Sequence, residues 1–128
     1  SLAAINAGNK IVQHLVQNNY YGENGKNHQL EKTFIGELTA LSEGSCRGRI
    51  GYAGGIGTMI SFEVGDASKE ITDKYLKALF QNGIIAFSAG RNPTRVRFLL
   101  PACLTDKHIK DIFSILEKTA LDIIPAKV

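Results

Sequence analysis

Apolar and polar positions alternate with two different periods along this chain, and the places where the period switches set out its elements. Residues 2 to 17 carry Ile11, Val12, Leu15 and Val16 on one stripe, the three- and four-residue spacing of a helix. Ser1 is placed to cap it, and Asn18-Asn19 favours a break, since asparagine tolerates left-handed backbone. A second helix is expected from about residue 23 to 41, with Leu30, Phe34, Leu38 and Leu41 as its apolar face. Gly25 and Gly36 weaken its propensity by about 1 kcal/mol each relative to alanine, so it must lean on packing. In residues 58–64 the period becomes two. Ile60, Phe62 and Val64 share one face of a strand, Ser61 and Glu63 the other. Helical spacing returns at 69–81, with Ile71, Tyr75, Leu76, Leu79 and Phe80 as the buried stripe, Asp66 or Ser68 as cap and Asn82-Gly83 as stop. Residues 84–87 read as a short strand. Residues 94–101 read as a strong one, in which Val96, Phe98 and Leu100 alternate with Arg95, Arg97 and Leu99. Thr105 caps a last helix whose stripe is Ile109, Ile112, Phe113, Leu116, Ala120 and Ile123, and Pro125 ends it.

The predicted order is helix, helix, two strands, helix, two strands, helix, with no repeat or low-complexity tract. One small, mainly antiparallel sheet with helices layered on one face buries every stripe, an α/β fold of the α+β type. Phe62, Phe87 and Phe98 alternate with small or polar groups in a way that turns them inward. The outward face is then left with Arg95, Arg97, Ser61 and Glu63, without the exposed aromatics on which sheet proteins stack RNA bases.

Between the second helix and the first strong strand lies a glycine-dense passage with Gly44, Gly48, Gly51, Gly54, Gly55 and Gly57. Such density serves tight turns or the close approach of backbone to another surface. It has no GxGxxG order before a helix and no phosphate-loop lysine, so neither nucleotide fingerprint is present. A short edge strand with a flexible loop, flanked by Arg47 and Arg49, is the expectation.

With 128 residues the chain is long enough for one domain with its own core. A net charge of +3 is too small to argue for nucleic acid, and no apolar run approaches a membrane span. The first residues lack a charged segment followed by an apolar one, so no secretory signal is expected. Cys46 and Cys103 match no metal spacing and read as free thiols of a reducing, cytoplasmic compartment. His14, His28 and His108 fall in separate segments and offer no metal or nucleophile–base cluster. The chemistry-bearing candidate is Arg97. A guanidinium is a rigid fork of donors that matches a carboxylate, and a strand is a stiff mount for it. From spacing alone, a solvated arginine on an open sheet face is the better account, and Arg95 has no claim beyond it.

Several stretches together carry a resemblance. Residues 54–63, Gly-Gly-Ile-Gly-Thr-Met-Ile-Ser-Phe-Glu, resemble the strand entry of class III aminotransferases. This family of pyridoxal-phosphate enzymes includes ornithine, acetylornithine and 4-aminobutyrate aminotransferases. Gln81-Asn82-Gly83-Ile84-Ile85 resembles their turn into the next strand, and Val96-Arg97-Phe98-Leu99-Leu100-Pro101 is similar to their arginine strand. Leu100 departs from the pattern, standing where many members have a first proline. Ser1-Leu2-Ala3-Ala4 resembles the small-residue start of the helix that leaves their large domain.

The resemblance spans nearly the whole chain but only the C-terminal small domain of the family. It implies the small-domain fold of fold type I pyridoxal-phosphate enzymes. Residues 1–128 are then one domain, a C-terminal fragment of a longer enzyme, with 1–17 the end of an interdomain helix and 18–128 the small domain. It implies a parent, a homodimer, that moves an amino group from an amino acid to a 2-oxo acid with pyridoxal 5'-phosphate. In that parent Arg97 is the arginine that binds the substrate carboxylate. The missing N-terminal large domain supplies the imine-forming lysine, so cofactor binding and catalysis by this chain alone are not expected. A standalone carboxylate-binding or regulatory module with the arginine face as its anion site is the alternative.

Overall fold

The computed structural model describes residues 1–126. The elements run α1 (Leu2–Gln17), α2 (Lys26–Glu43), β1 (Ile50–Ile56), β2 (Met59–Val64), α3 (Lys69–Gln81), β3 (Phe87–Ala89), β4 (Arg95–Leu99) and α4 (Asp106–Ile123). The four strands form one antiparallel sheet in the order β1-β2-β4-β3, so the strong strands β2 and β4 lie at its centre.

Side chains of one sheet face build the core. Ile60, Phe62 and Val64 of β2 and Val96 and Phe98 of β4 pack with Leu30, Phe34 and Leu38 of α2, Tyr75 and Leu79 of α3, and Phe113, Leu116 and Ala120 of α4. The rings interlock: Phe34 lies 5.0 Å from Phe113 and 6.2 Å edge-on to Phe98, and Phe62 stands 6.2 Å edge-on to Tyr75. Offset and edge-to-face pairs of this kind add to the gain from burial alone. The expected α+β class, with a mainly antiparallel sheet and helices on one face, is what the chain adopts.

Local signals explain the boundaries. Ser68 caps α3 by accepting the Ile71 N–H, and Thr105 caps α4 from the His108 N–H, while the His108 ring accepts the Thr105 N–H in return. Asn19 and Gly83 carry the left-handed backbone that ends α1 and α3. α2 begins at Lys26 rather than 23. The Lys26 and Asn27 N–H groups donate to the Asn19 and Tyr20 carbonyls, which folds 19–25 into a loop and leaves Gly25 as an extended N-cap.

Four expectations need correction. The apolar stripe of α1 finds no partner: no residue of that helix is buried, and Ile11, Val12 and Val16 are exposed. In α3 the buried set is Thr72, Tyr75 and Leu79, while Phe80 is 66% exposed. The Thr72 hydroxyl donates to the Thr94 carbonyl at 3.2 Å, which fixes the helix rotation and turns Phe80 outward. The glycine-dense passage yields a seven-residue edge strand, longer than expected, with a bulge between Gly51 and Ala53. β3 starts at Phe87 because the Ile84 N–H is held by the Leu79 carbonyl at the end of α3. Phe87 consequently does not face inward. It pairs with Arg97 on the outer face and is 49% exposed.

Candidate functional site: the uncovered sheet face

The face turned away from the helices is assembled by pairing register. β2 and β4 pair Ser61 with Arg97 and Met59 with Leu99; β1 sets Gly54 beside Ser61, and β3 sets Phe87 beside Arg97. One row therefore crosses all four strands as Gly54, Ser61, Arg97, Phe87. Side chains directly opposite across antiparallel strands are in contact range, so this row is one continuous surface. The next row, Ile56, Met59, Leu99, is apolar and exposed.

The two arginines of β4 have different fates. Arg95 bonds Glu63 across the sheet, with both its Nε and its terminal nitrogen 3.0 Å from the carboxylate. Its guanidinium carbon also lies 4.1 Å over the Tyr52 ring. It is fully engaged by these two partners. Arg97 has no ion pair among the described residues, and its Nε is buried without a hydrogen-bond partner. Buried polar groups are ordinarily satisfied, so an orphaned Nε on a charged side chain calls for a partner brought from outside.

Other polar candidates are spent on structure. Arg49 donates from Nε to the Ile124 carbonyl at 2.8 Å, holding the end of α4. Glu31 accepts the Gly57 N–H at 2.6 Å and faces His28, tying the β1–β2 turn to α2. His14, His28 and His108 remain apart, and no group of three His, Cys, Asp or Glu among the described residues is placed to hold a metal. Cys46 is buried and Cys103 exposed, both free thiols; burial pushes the Cys46 thiol up. An imine-forming lysine needs a pocket that removes it from water. Lys10, Lys26, Lys32, Lys69, Lys74, Lys77, Lys107, Lys110 and Lys118 are all exposed on helices, several in ion pairs with Asp73, Glu70 and Asp111. Those residues do not fit pyridoxal phosphate; Lys127 lies outside the described residues.

Two members of this face, Phe87 and Tyr52, are not apparent from the periodicity of the sequence. Phe87 was expected in the core, although an edge strand can carry an apolar side chain outward. Tyr52 went unnoticed because the bulge at Gly51 and Ala53, invisible in the periodicity, turns it onto the open side.

No protein-family model matches the chain, and no curated protein sequence matches it. Solved structures do. The chain is similar to a phospholyase from Arthrobacter in complex with phosphoethanolamine, with a TM-score of 0.77 and 17% identity, over 93% of this chain and 28% of that one. It is similar to a lysine aminotransferase from M. tuberculosis in the internal aldimine form, with a TM-score of 0.66 and 19% identity, over 78% of this chain and 22% of that one. It is similar to an acetylornithine aminotransferase from Elizabethkingia anophelis, with a TM-score of 0.66 and 23% identity, over 77% of this chain and 25% of that one. The chain thus spans 22–28% of the length of these proteins. At such identities the likeness is one of fold, and it agrees with the resemblance read from the motifs: this chain has the fold of a domain of the aminotransferases.

Proposed function

We propose that the chain is the C-terminal small domain of a longer pyridoxal-phosphate-dependent aminotransferase, in which Arg97 binds the carboxylate of the substrate. Residues 1–17 are then the end of the helix leaving the large domain, and 18–128 the small domain. The observation that carries the reading is the unpaired Arg97, Nε buried, on the uncovered face of a domain with aminotransferase fold. The reaction is transfer of an amino group from an amino acid of the ornithine, acetylornithine, lysine or 4-aminobutyrate type to a 2-oxo acid. When bound, pyridoxal phosphate supplies an electron sink for that transfer. Under this reading the large domain holds it, since the described lysines here are solvent-exposed.

In this arrangement the sheet mounts a rigid fork of donors against one end of the substrate. Fixing the carboxylate sets the register of the reacting carbon and helps keep water from it. A charge-assisted contact of this kind is worth about 2–5 kcal/mol when its partner is truncated. The parent works as a cytoplasmic homodimer built through the large domain.

The test is Arg97→Lys in the full-length protein. An ammonium keeps the charge and loses the two-pronged fit. The KM for the amino donor is expected to rise about 30-fold or more, by the lower end of that range, with the cofactor absorbance band unaltered. An unchanged KM would show that Arg97 is not the clamp.

A further inference from the structure

Tyr52 lies over Gly54 on the open face. A Cβ on Gly54 would come within 2.5 Å of the Tyr52 hydroxyl oxygen and 2.9 Å of the ring carbon that bears it. Arg95 covers the ring at 4.1 Å, and Glu63 pins Arg95. The phenol is thus held flat on the sheet from two sides, with its hydroxyl at the head of the row that continues through Ser61 to Arg97. Neither hydroxyl in this row, that of Tyr52 or that of Ser61, has a hydrogen-bond partner among the described residues. We propose that Tyr52 and Ser61 donate to the same carboxylate that Arg97 binds, and that Gly54 and Arg95 position Tyr52 for it. The inference rests on the carboxylate reading of Arg97 and adds to it two neutral donors and the devices that aim one of them.

The dimensions allow it. Neighbouring strands are about 4.8 Å apart, so Gly54 and Arg97 are separated by roughly 10 Å with Ser61 midway. An ionised carboxylate accepts at about four lone-pair positions, of which a guanidinium fork takes two. The two hydroxyls serve the others. On the far side of Arg97 the Phe87 ring is an apolar wall, and the exposed Met59 and Leu99 side chains are the surface beside the site. This arrangement selects a carboxylate with an apolar stem over inorganic phosphate, which has no apolar part to set against that surface.

A ring laid over a strand glycine also shields backbone. Phenylalanine would do that equally well, so the hydroxyl and the packing can be separated by experiment. Binding of 2-oxoglutarate, the probe, is measured by titration calorimetry on the purified full-length protein, with a thermal melt of each variant as a check of folding. Tyr52→Phe and Ser61→Ala are each expected to weaken binding about tenfold or more, one hydrogen bond to a charged acceptor apiece. Gly54→Ala is expected to weaken it as much as Tyr52→Phe with the melt unchanged, because the new methyl group displaces only the movable end of Tyr52. Wild-type affinity in Tyr52→Phe and Gly54→Ala, with binding lost in Arg97→Met, would overturn this inference and leave the clamp standing. Wild-type affinity in Arg97→Met, or no binding by the unaltered protein, would remove both.

Discussion

Arg97→Met is expected to make the folded chain more stable. The substitution keeps an unbranched side chain of similar reach and removes the guanidinium. In the structure that group makes no ion pair among the described residues, and its Nε is cut off from water with no acceptor. Leaving one buried donor unmade costs about 1–3 kcal/mol. Arg97 is only half-buried, and its outer nitrogens belong to a side chain that solvent reaches, so the lower end applies. The methionine also covers the sheet between Phe87 and Ser61. The net expectation is a gain of about 1 kcal/mol, equivalent to a rise of roughly 4 °C in Tm for a domain of this size.

Arg95→Met is the internal comparison. It abandons Glu63 and uncovers Tyr52, and a half-exposed cross-strand pair of this kind is worth up to about 1 kcal/mol, so stability is expected to fall. Urea denaturation followed by far-ultraviolet circular dichroism gives both numbers, and an unchanged slope with denaturant confirms that the unfolded states are alike. A loss of 1 kcal/mol or more in Arg97→Met would show that Arg97 is a structural residue with a partner in solution, and the argument for an external anion would fail. A gain identifies a side chain kept at the expense of stability, as expected of a binding residue.

Two further outcomes follow from the core and the edge strand. Burial raises the Cys46 thiol above its ordinary range, so the folded state holds its proton more tightly than the unfolded state does. That contribution is complete below the unfolded value and lost as pH climbs through the folded one, so Tm should drop above about pH 9 in wild type and less so in Cys46→Ala; parallel profiles would contradict the assignment. Gly55→Ala places a methyl group in overlap with the Met59 carbonyl oxygen and within 2.9 Å of Ile60 Cα, backbone that cannot yield without breaking the β1–β2 pairing. A cost above about 2 kcal/mol is expected by urea denaturation, and a cost below 0.5 kcal/mol, the ordinary range for a surface site, would mean the hairpin is looser than its register implies.

The layout of this domain was readable where one physical signal dominated. β2 and β4 alternate without interruption, so their inner residues, their outer arginines and the uncovered face all followed from a period of two. Ser68, Thr105, Asn82 and Gly83 marked helix ends because capping chemistry is local. What escaped reading depended on neighbours. Phe80 and Thr72 compete for the same helix face, and a hydrogen bond to the Thr94 carbonyl, 22 residues away, decides between them. Tyr52 is turned outward by a bulge that periodicity does not encode. The free state of Arg97 was a matter of which arginine Glu63 selects, and two equally spaced guanidinium groups on one strand cannot be told apart before the sheet is assembled.

Helix α1 offers a last consequence. Sixteen residues rising about 1.5 Å each make a rod of roughly 24 Å that is tied to the rest through the Tyr20 turn while burying none of its own residues. Isolated helices of this length are marginal in water. Its amides should therefore trade hydrogen for deuterium long before those of β2 and β4, and the chain should open in two tiers. Whatever surface settles on Leu2, Ile5, Val12 and Val16 will be felt first as protection of those amides, with the melting of the sheet unmoved.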